Sequence, residues 1–425
     1  MKRGLALATA FFLLLLGRAA CEDIYAIKVQ GVINPPVSSF IKDSLQKAHE
    51  DKIGALLIYL DTPGGLDTSM REIVKSIMES EIPVIVYVYP SGARAASAGC
   101  IILLASHIAA MSPGTNTGAA HPVTVGKEGI DREMMKKVVR DATAYAESIA
   151  NQRGRNAEFA RKAVLESASV TAKEAVEKNV ADVLAEDPQD LLKKIDGRRV
   201  KTKKGWVALA TKGKKVTELE MPFKYRFLSY VSDPNVSYLL MMIGLYGILF
   251  EIYNPGSIFP GVIGGICIIL ALYSFQTIPI SYAGLFLIIL GLIFLILELK
   301  VVSHGILAIA GIISIVIGSI MLVNLPSSIL SISWKTIVAV AVMTALFFFG
   351  ILSFAVKAQL SKVRTGKEGL IGEAGRARTD ISGKGKVFLH GELWNATSDE
   401  YIKEGEEVVV IDVQDLTLKV RKKGG

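Results

Sequence analysis

The sequence predicts an α/β domain, then a block of apolar membrane helices, then a small β-barrel. Three observations predict it. The 425-residue chain is 51% hydrophobic and 21% charged with a mean hydropathy of +0.42, so its apolar and polar stretches are segregated. Between residues 22 and 187 short β-branched runs alternate with helix-length stretches, as in a largely parallel sheet covered by helices. From residue 366 onward β-rich runs are separated by glycine turns.

Taken in order, Lys2 and Arg3 precede an apolar stretch over 5–16 and the small-residue run Gly17–Arg18–Ala19–Ala20–Cys21. That stretch is too short to span a bilayer and has the layout of a signal peptide. Residues 1–21 are therefore expected to be a leader cleaved near Ala19–Cys21, with the next domain exported. Cys21 would suit lipoprotein processing, but Arg18 stands where that needs an aliphatic residue. Strands are expected over 24–29, 55–60 and 83–89, and helices over 38–50, 66–79, 131–151 and 156–168. Thr171 and Glu174 have capping-box spacing. The α/β domain is thus placed at 22–187. Residues 188–235 are strongly basic, hold one hairpin and read as a juxtamembrane linker.

A membrane domain is expected over 236–358, with spans at 238–253, 258–275, 278–297, 306–323 and 334–356. The first two are short and separated by Asn254–Pro255–Gly256, so they can also form a re-entrant pair; the count is four or five. Five crossings after an exported domain leave the C-terminus in the cytoplasm, the side that Lys357, Lys362, Arg364 and Lys367 suit. Glu251 and Glu298 lie near span ends, as interfacial carboxylates or in a buried polar pairing. The tail, 366–422, has strand-like runs at 385–390, 407–412 and 416–420. It lacks an aromatic-plus-basic stripe, and Trp394 is assigned to its core.

Composition narrows the chemistry. The three cysteines (Cys21, Cys100, Cys267) and five histidines (His49, His107, His121, His304, His390) show no disulfide or metal-ligand spacing, so neither a metal nor another cofactor is expected. The net charge of +8 sits in clusters beside membrane segments, which argues against nucleic acid.

One stretch suits nucleophilic catalysis. In Ala95–Ala96–Ser97–Ala98–Gly99–Cys100, small residues flank Ser97 after a strand, and the apolar run 101–105 follows. Ser97 would then stand at a helix N-terminus, where unpaired N–H groups favour an oxyanion and the Ala98 N–H is one donor. An N-cap serine has the same local sequence. Leu60–Asp61–Thr62–Pro63–Gly64–Gly65 ends the neighbouring strand with a turn that aims backbone N–H groups into the same crevice. Asp61 reads as a turn carboxylate. A serine needs a base, and His121, Lys136 and Lys137 are the candidates, each also readable as a structural or surface residue.

With Met111–Ser112–Pro113–Gly114–Thr115 and Gly154–Arg155–Asn156, these phrases resemble the membrane-bound NfeD serine proteases in their long form, related to ClpP and the signal peptide peptidases of the crotonase-like superfamily. The resemblance continues through 169–183, the apolar block, Gly366–Lys367–Glu368–Gly369 and Gly391–Glu392–Leu393–Trp394. It implies a crotonase/ClpP-like protease domain, an OB-fold-like tail and a Ser–Lys dyad. The nucleophile matches Ser97, and the oxyanion hole matches Gly64, Gly65 and Ala98. The lysine, counted eleven residues back from Ser148, is Lys137, with Lys136 adjacent. His121 is the alternative base by analogy with ClpP, and Asp182 is then the candidate for its orienting carboxylate. The implied substrate is an apolar segment of a peptide or membrane protein, and the implied partners are a stomatin-like membrane protein and the lipid bilayer. A homo-oligomer, dimer or larger, is also expected. The implied location is the inner membrane, multi-pass. An acyl-CoA enzyme is the weaker rival, since export separates the domain from cytoplasmic CoA chemistry. A scaffold for stomatin-like assemblies, with catalysis secondary, is the other.

Overall fold

In a computed structural model that describes residues 23–123, 132–253, 256–276, 280–301, 303, 305–323, 331–360 and 367–424, the β-branched runs become a central sheet. The expected leader, and Lys362 and Arg364, lie outside the described residues. In chain order come β1 (Ile24–Gln30), α1 (Pro35–Glu50), β2 (Ala55–Asp61), α2 (Asp67–Met78) and β3 (Val84–Val88). Then follow β4 (Arg94–Ala96), α3 (Ala98–Ala105), β5 (Ile108–Met111), β6 (Asn116–Gly118), α4 (Arg132–Gln152) and α5 (Ala157–Leu165). The domain continues through β7 (Ser169–Thr171), α6 (Ala172–Glu177), β8 (Val183–Leu184), α7 (Pro188–Ile195), β9 (Arg199–Thr202), β10 (Gly205–Ala208) and β11 (Val216–Glu218).

The main sheet has the order β11-β1-β2-β3-β5-β8, with every neighbour parallel. Every residue of β3 is buried, as befits a parallel strand covered on both faces. A smaller sheet, β4-β6-β7, joins the end of β2 through a bridge between Thr62 and Ala95. Helix starts follow local chemistry. Asn34 Oδ1 accepts from the Val37 N–H at 3.1 Å ahead of Pro35 and Pro36, and Thr171 and Glu174 form the expected capping box.

The stretch expected to be a linker is instead built into the fold. The hairpin β9–β10 is present, and β11 adds to β1 in the main sheet (Ile24 opposite Val216), so the sheet does not end at 187. A three-residue edge strand in a basic segment shows no apolar period, which is why the sequence reading passed over it.

Beyond it lie α8 (Phe223–Val231), α9 (Pro234–Tyr253), α10 (Ile258–Phe275), α11 (Tyr282–Lys300), α12 (Ile306–Leu322) and α13 (Trp334–Leu360). The sequence made the first two spans short. In the structure Pro234–Ile252 and Ile258–Phe275 are each long and apolar enough to cross a bilayer, the first because α9 begins upstream at Pro234. α11 and α12 pack closely through glycines: a Cβ at Gly291 would lie 2.6 Å from the Gly311 carbonyl oxygen, and one at Gly284 2.7 Å from that of Gly318. Glu298 is buried and accepts from the Gly305 and Ala308 N–H groups at 2.9 and 3.3 Å and from Ser303, so its partners are mainly the amides at the start of α12.

The chain divides into two units, one ending at Thr344 and one starting at Ala345. In the second, after α14 (Lys367–Leu370), the strands β12 (Ala374–Ala377), β13 (Ile381–Leu389), β14 (Glu392–Ile402), β15 (Glu407–Gln414) and β16 (Thr417–Lys422) close a barrel in the order β12-β13-β14-β16-β15. Val387, Ala396, Val408 and Leu418 fill it, and half-buried Trp394 packs against them.

Candidate active site

The loop after β2 is fixed from two sides. The Thr62 N–H donates to the Arg94 carbonyl at 2.7 Å, and the Ala96 N–H donates to the Thr62 carbonyl at 3.1 Å. The Ile33 N–H donates to the Gly64 carbonyl, and the Leu66 N–H to the Ile33 carbonyl, both at 2.9 Å. Gly64 has φ +120, and a Cβ there would lie 2.7 Å from the Ser97 Cβ; one at Gly65 would lie 2.1 Å from the Ile33 carbonyl oxygen. Only glycine fits either place. Asp61 accepts the Arg94 N–H at 3.1 Å, so it shapes the turn and does not face the site.

Ser97 joins β4 to α3 with φ 53 and ψ −117, a conformation that a residue with a Cβ adopts only under constraint. The constraint is visible: its N–H donates to the Gly118 carbonyl at 2.9 Å and its carbonyl accepts the Cys100 N–H at 3.0 Å. It stands at the N-cap position, yet its side chain makes no capping hydrogen bond. The hydroxyl is thus presented at the start of α3 without a capping role.

It opens into a cavity of about 550 Å³. The walls are Gly65, Leu66, Asp67, Met70 and Arg71, then Ser97, Ala98 and Ile101, then Ala120–Val123, the α4 residues Lys137, Val138, Asp141, Ala142 and Tyr145, and Val164. Ser97, Lys137, His121, Gly65 and Ala98 therefore share one space. Lys136 is exposed and does not line it, which separates the two neighbouring lysines. Gly64 gives its N–H to Thr62 Oγ1 at 3.0 Å and does not line the cavity, whereas Gly65 and Ala98 do.

His121 Nδ1 lies 2.7 Å from the Val164 carbonyl. A carbonyl only accepts, so Nδ1 carries the proton and Nε2 is the basic nitrogen. Asp182 does not orient this imidazole. It accepts Arg155 Nη2 at 2.5 Å and the Ala109 N–H at 2.7 Å, and Arg155 binds the Leu104 and Ser106 carbonyls at 2.6 and 2.8 Å. The pair closes the far end of α3. Cys100 is fully buried and burial pushes its thiol up to about 11, so it is inert packing.

Sequence reasoning missed Arg71, Asp141 and Tyr145. Arg71 reaches Asp67 at 2.8 Å and Asp141 at 2.5 Å, and its guanidinium lies 4.3 Å from the Tyr145 ring centre. The spacing Lys137, Asp141, Tyr145 along one helix face was the available signal. Among the described residues no cluster of His, Cys, Asp and Glu could hold a metal ion.

Three families match successive parts of the chain: one described as NfeD1b, N-terminal domain, over residues 23–201; the NfeD integral membrane domain over 235–354; and the NfeD-like C-terminal, partner-binding domain over 367–422. A membrane-bound protease of Pyrococcus horikoshii is 36% identical over 417 residues, 95% of this chain and 94% of the relative. The membrane protein NfeD1b of Bacillus subtilis is 25% identical over 450 residues, 98% of each. Among solved structures, a membrane-bound stomatin-specific protease in complex with a substrate peptide is 37% identical with a TM-score of 0.47, covering 50% of this chain and 98% of that one.

Proposed function

The chain belongs to the NfeD family of membrane proteins, and from that premise we propose that it is a membrane-anchored serine endopeptidase working through Ser97 and Lys137. The observation that carries the reading is the uncapped, strained Ser97 at the start of α3, sharing a cavity with Lys137. Ser97 Oγ attacks a peptide carbonyl while its proton passes to the Lys137 amine. The resulting oxyanion is held by the Gly65 and Ala98 N–H groups, with Gly64 allowing the two loops to approach. Lys137 then returns the proton to the leaving amine, and water resolves the acyl-enzyme by the same route. His121 is the second candidate for the base, since it lines the same cavity and the Val164 carbonyl engages its Nδ1 and not its Nε2.

Leu66, Met70, Ile101, Val138 and Val164 give the cavity apolar walls, which suits an apolar peptide segment. The relatives described as a membrane-bound protease and a stomatin-specific protease support a substrate in a stomatin-like or other membrane-associated partner. The α/β domain is taken as extracytoplasmic, the apolar helices as a multi-pass anchor and the barrel as cytoplasmic. A scaffolding role beside catalysis is favoured by one observation, the match of the barrel to a partner-binding domain.

The test is cleavage of an apolar peptide panel by the full chain in detergent. Ser97→Ala should abolish turnover, and Lys137→Ala should cost about 100-fold or more while His121→Ala retains most activity. Full activity of Ser97→Ala would remove the proposal; a larger loss in His121→Ala than in Lys137→Ala would move the base to the imidazole.

A further inference from the structure

Helix α8 has two unlike faces. One is fastened to the α/β domain: Asn34 Nδ2 donates to Ser229 Oγ at 3.0 Å, the Tyr225 hydroxyl donates to Asp43, and the Tyr225 ring lies 6.4 Å from that of Phe40. The other carries Phe223, Phe227 and Tyr230, spaced as one stripe and 77%, 40% and 67% exposed. The first two rings stack at 5.9 Å. The fastening side fixes the direction in which this stripe points.

What covers it follows from the chain. Only Ser232 and Asp233 separate α8 from α9, an apolar helix long enough to cross a bilayer. That turn is held by hydrogen bonds: Ser232 Oγ donates to the Leu228 carbonyl, Ser237 Oγ donates to the Val231 carbonyl, and Asp233 Oδ1 accepts the Asn235 N–H, each at 2.8 Å. α8 also touches both α9 and α10. α9 in turn exposes Leu239 and Ile243. Lys224 and Arg226 stand exposed on the same helix. Aromatic rings beside basic side chains are what the headgroup layer selects, the rings at the acyl boundary and the cations at the phosphates.

We propose that α8 lies in the lipid headgroup layer, with Phe223, Phe227 and Tyr230 facing the acyl boundary and Lys224 and Arg226 at the phosphates. The α/β domain is then held against the bilayer by its α1 side and does not swing on a linker. This holds whether or not the catalytic reading does.

The test is photo-crosslinking in the full chain reconstituted in phospholipid vesicles. Phe223→p-benzoylphenylalanine and Tyr230→p-benzoylphenylalanine are made separately, both at exposed positions where an aromatic replaces an aromatic. Ile263→p-benzoylphenylalanine on α10 serves as the reference for lipid contact. On irradiation, a mass gain of one phospholipid at 223 or 230, comparable with that at 263, is expected. A crosslink to a second copy of the chain at both α8 positions, or no adduct there while 263 yields one, overturns the proposal.

Discussion

Arg71 Nη2 lies 2.5 Å from Asp141 Oδ2, tying α2 to the cavity face of α4. The same guanidinium holds Asp67 at 2.8 Å and covers the Tyr145 ring at 4.3 Å, so one cation fixes three groups at the wall that also bears Lys137. Asp141 is one helical turn beyond Lys137, and its carboxylate is engaged by Arg71.

Arg71→Met should lower kcat/KM about 10- to 100-fold by releasing α4 and leaving Asp141 to draw Lys137 away. The stability change should stay within about 1 kcal/mol, because Asp141 and Asp67 are well exposed. Adding Asp141→Asn should recover part of the loss. Peptide cleavage measured beside thermal midpoints checks this, and no recovery in the double variant would refute the competition for Lys137.

Gly64→Ala should cost about 100-fold or more in kcat, since the new Cβ meets Ser97 itself and the backbone has φ +120. Gly65→Ala meets the Ile33 carbonyl instead and should act first on folding of the loop. Steady-state kinetics with circular dichroism on both variants separates the two effects.

Removing Arg155 should be strongly destabilising. Its side chain is 2% exposed and serves Asp182, Leu104 and Ser106 together, so Arg155→Met strands a carboxylate and two carbonyls. A loss of about 3–5 kcal/mol is expected in urea unfolding.

Stability should also fall on acidification. Burial, with Arg153 and Arg155 nearby, pushes His107 down to about 3, and its Nδ1 accepts the Val84 N–H at 3.1 Å. The unfolded chain therefore binds a proton that the folded one refuses. The contribution is complete above the ordinary value of about 6.5 and is lost as pH falls from there towards the folded value. About 2–3 kcal/mol should be gone by pH 4.5, and His107→Asn should flatten the dependence in that window. Unfolding free energies at pH 7 and 4.5 provide the comparison.

Much of the molecule was legible locally. Of the four inner strands, β2 and β3 read as continuous apolar runs because parallel strands there are covered on both faces, and the capping box at Thr171 announced α6. Ser97 and the Gly64–Gly65 turn stood out because loops that need special backbone conformations restrict their residue types. Asp182 was misread because a carboxylate's partner lies across the fold: Arg155 is near in space but 27 residues away. The edge strand β11 was missed since its pairing with β1 joins segments far apart in sequence.

By itself the sequence determined the order of an α/β domain, apolar helices and a barrel, since periodicity, turn residues and hydropathy act over a few neighbouring positions. Tertiary structure alone decided which side chains share the cavity. It put Lys137 there and left Lys136 outside, and it brought Arg71 to Asp141. Those outcomes depend on how distant helices and loops pack, and no local pattern carries that information.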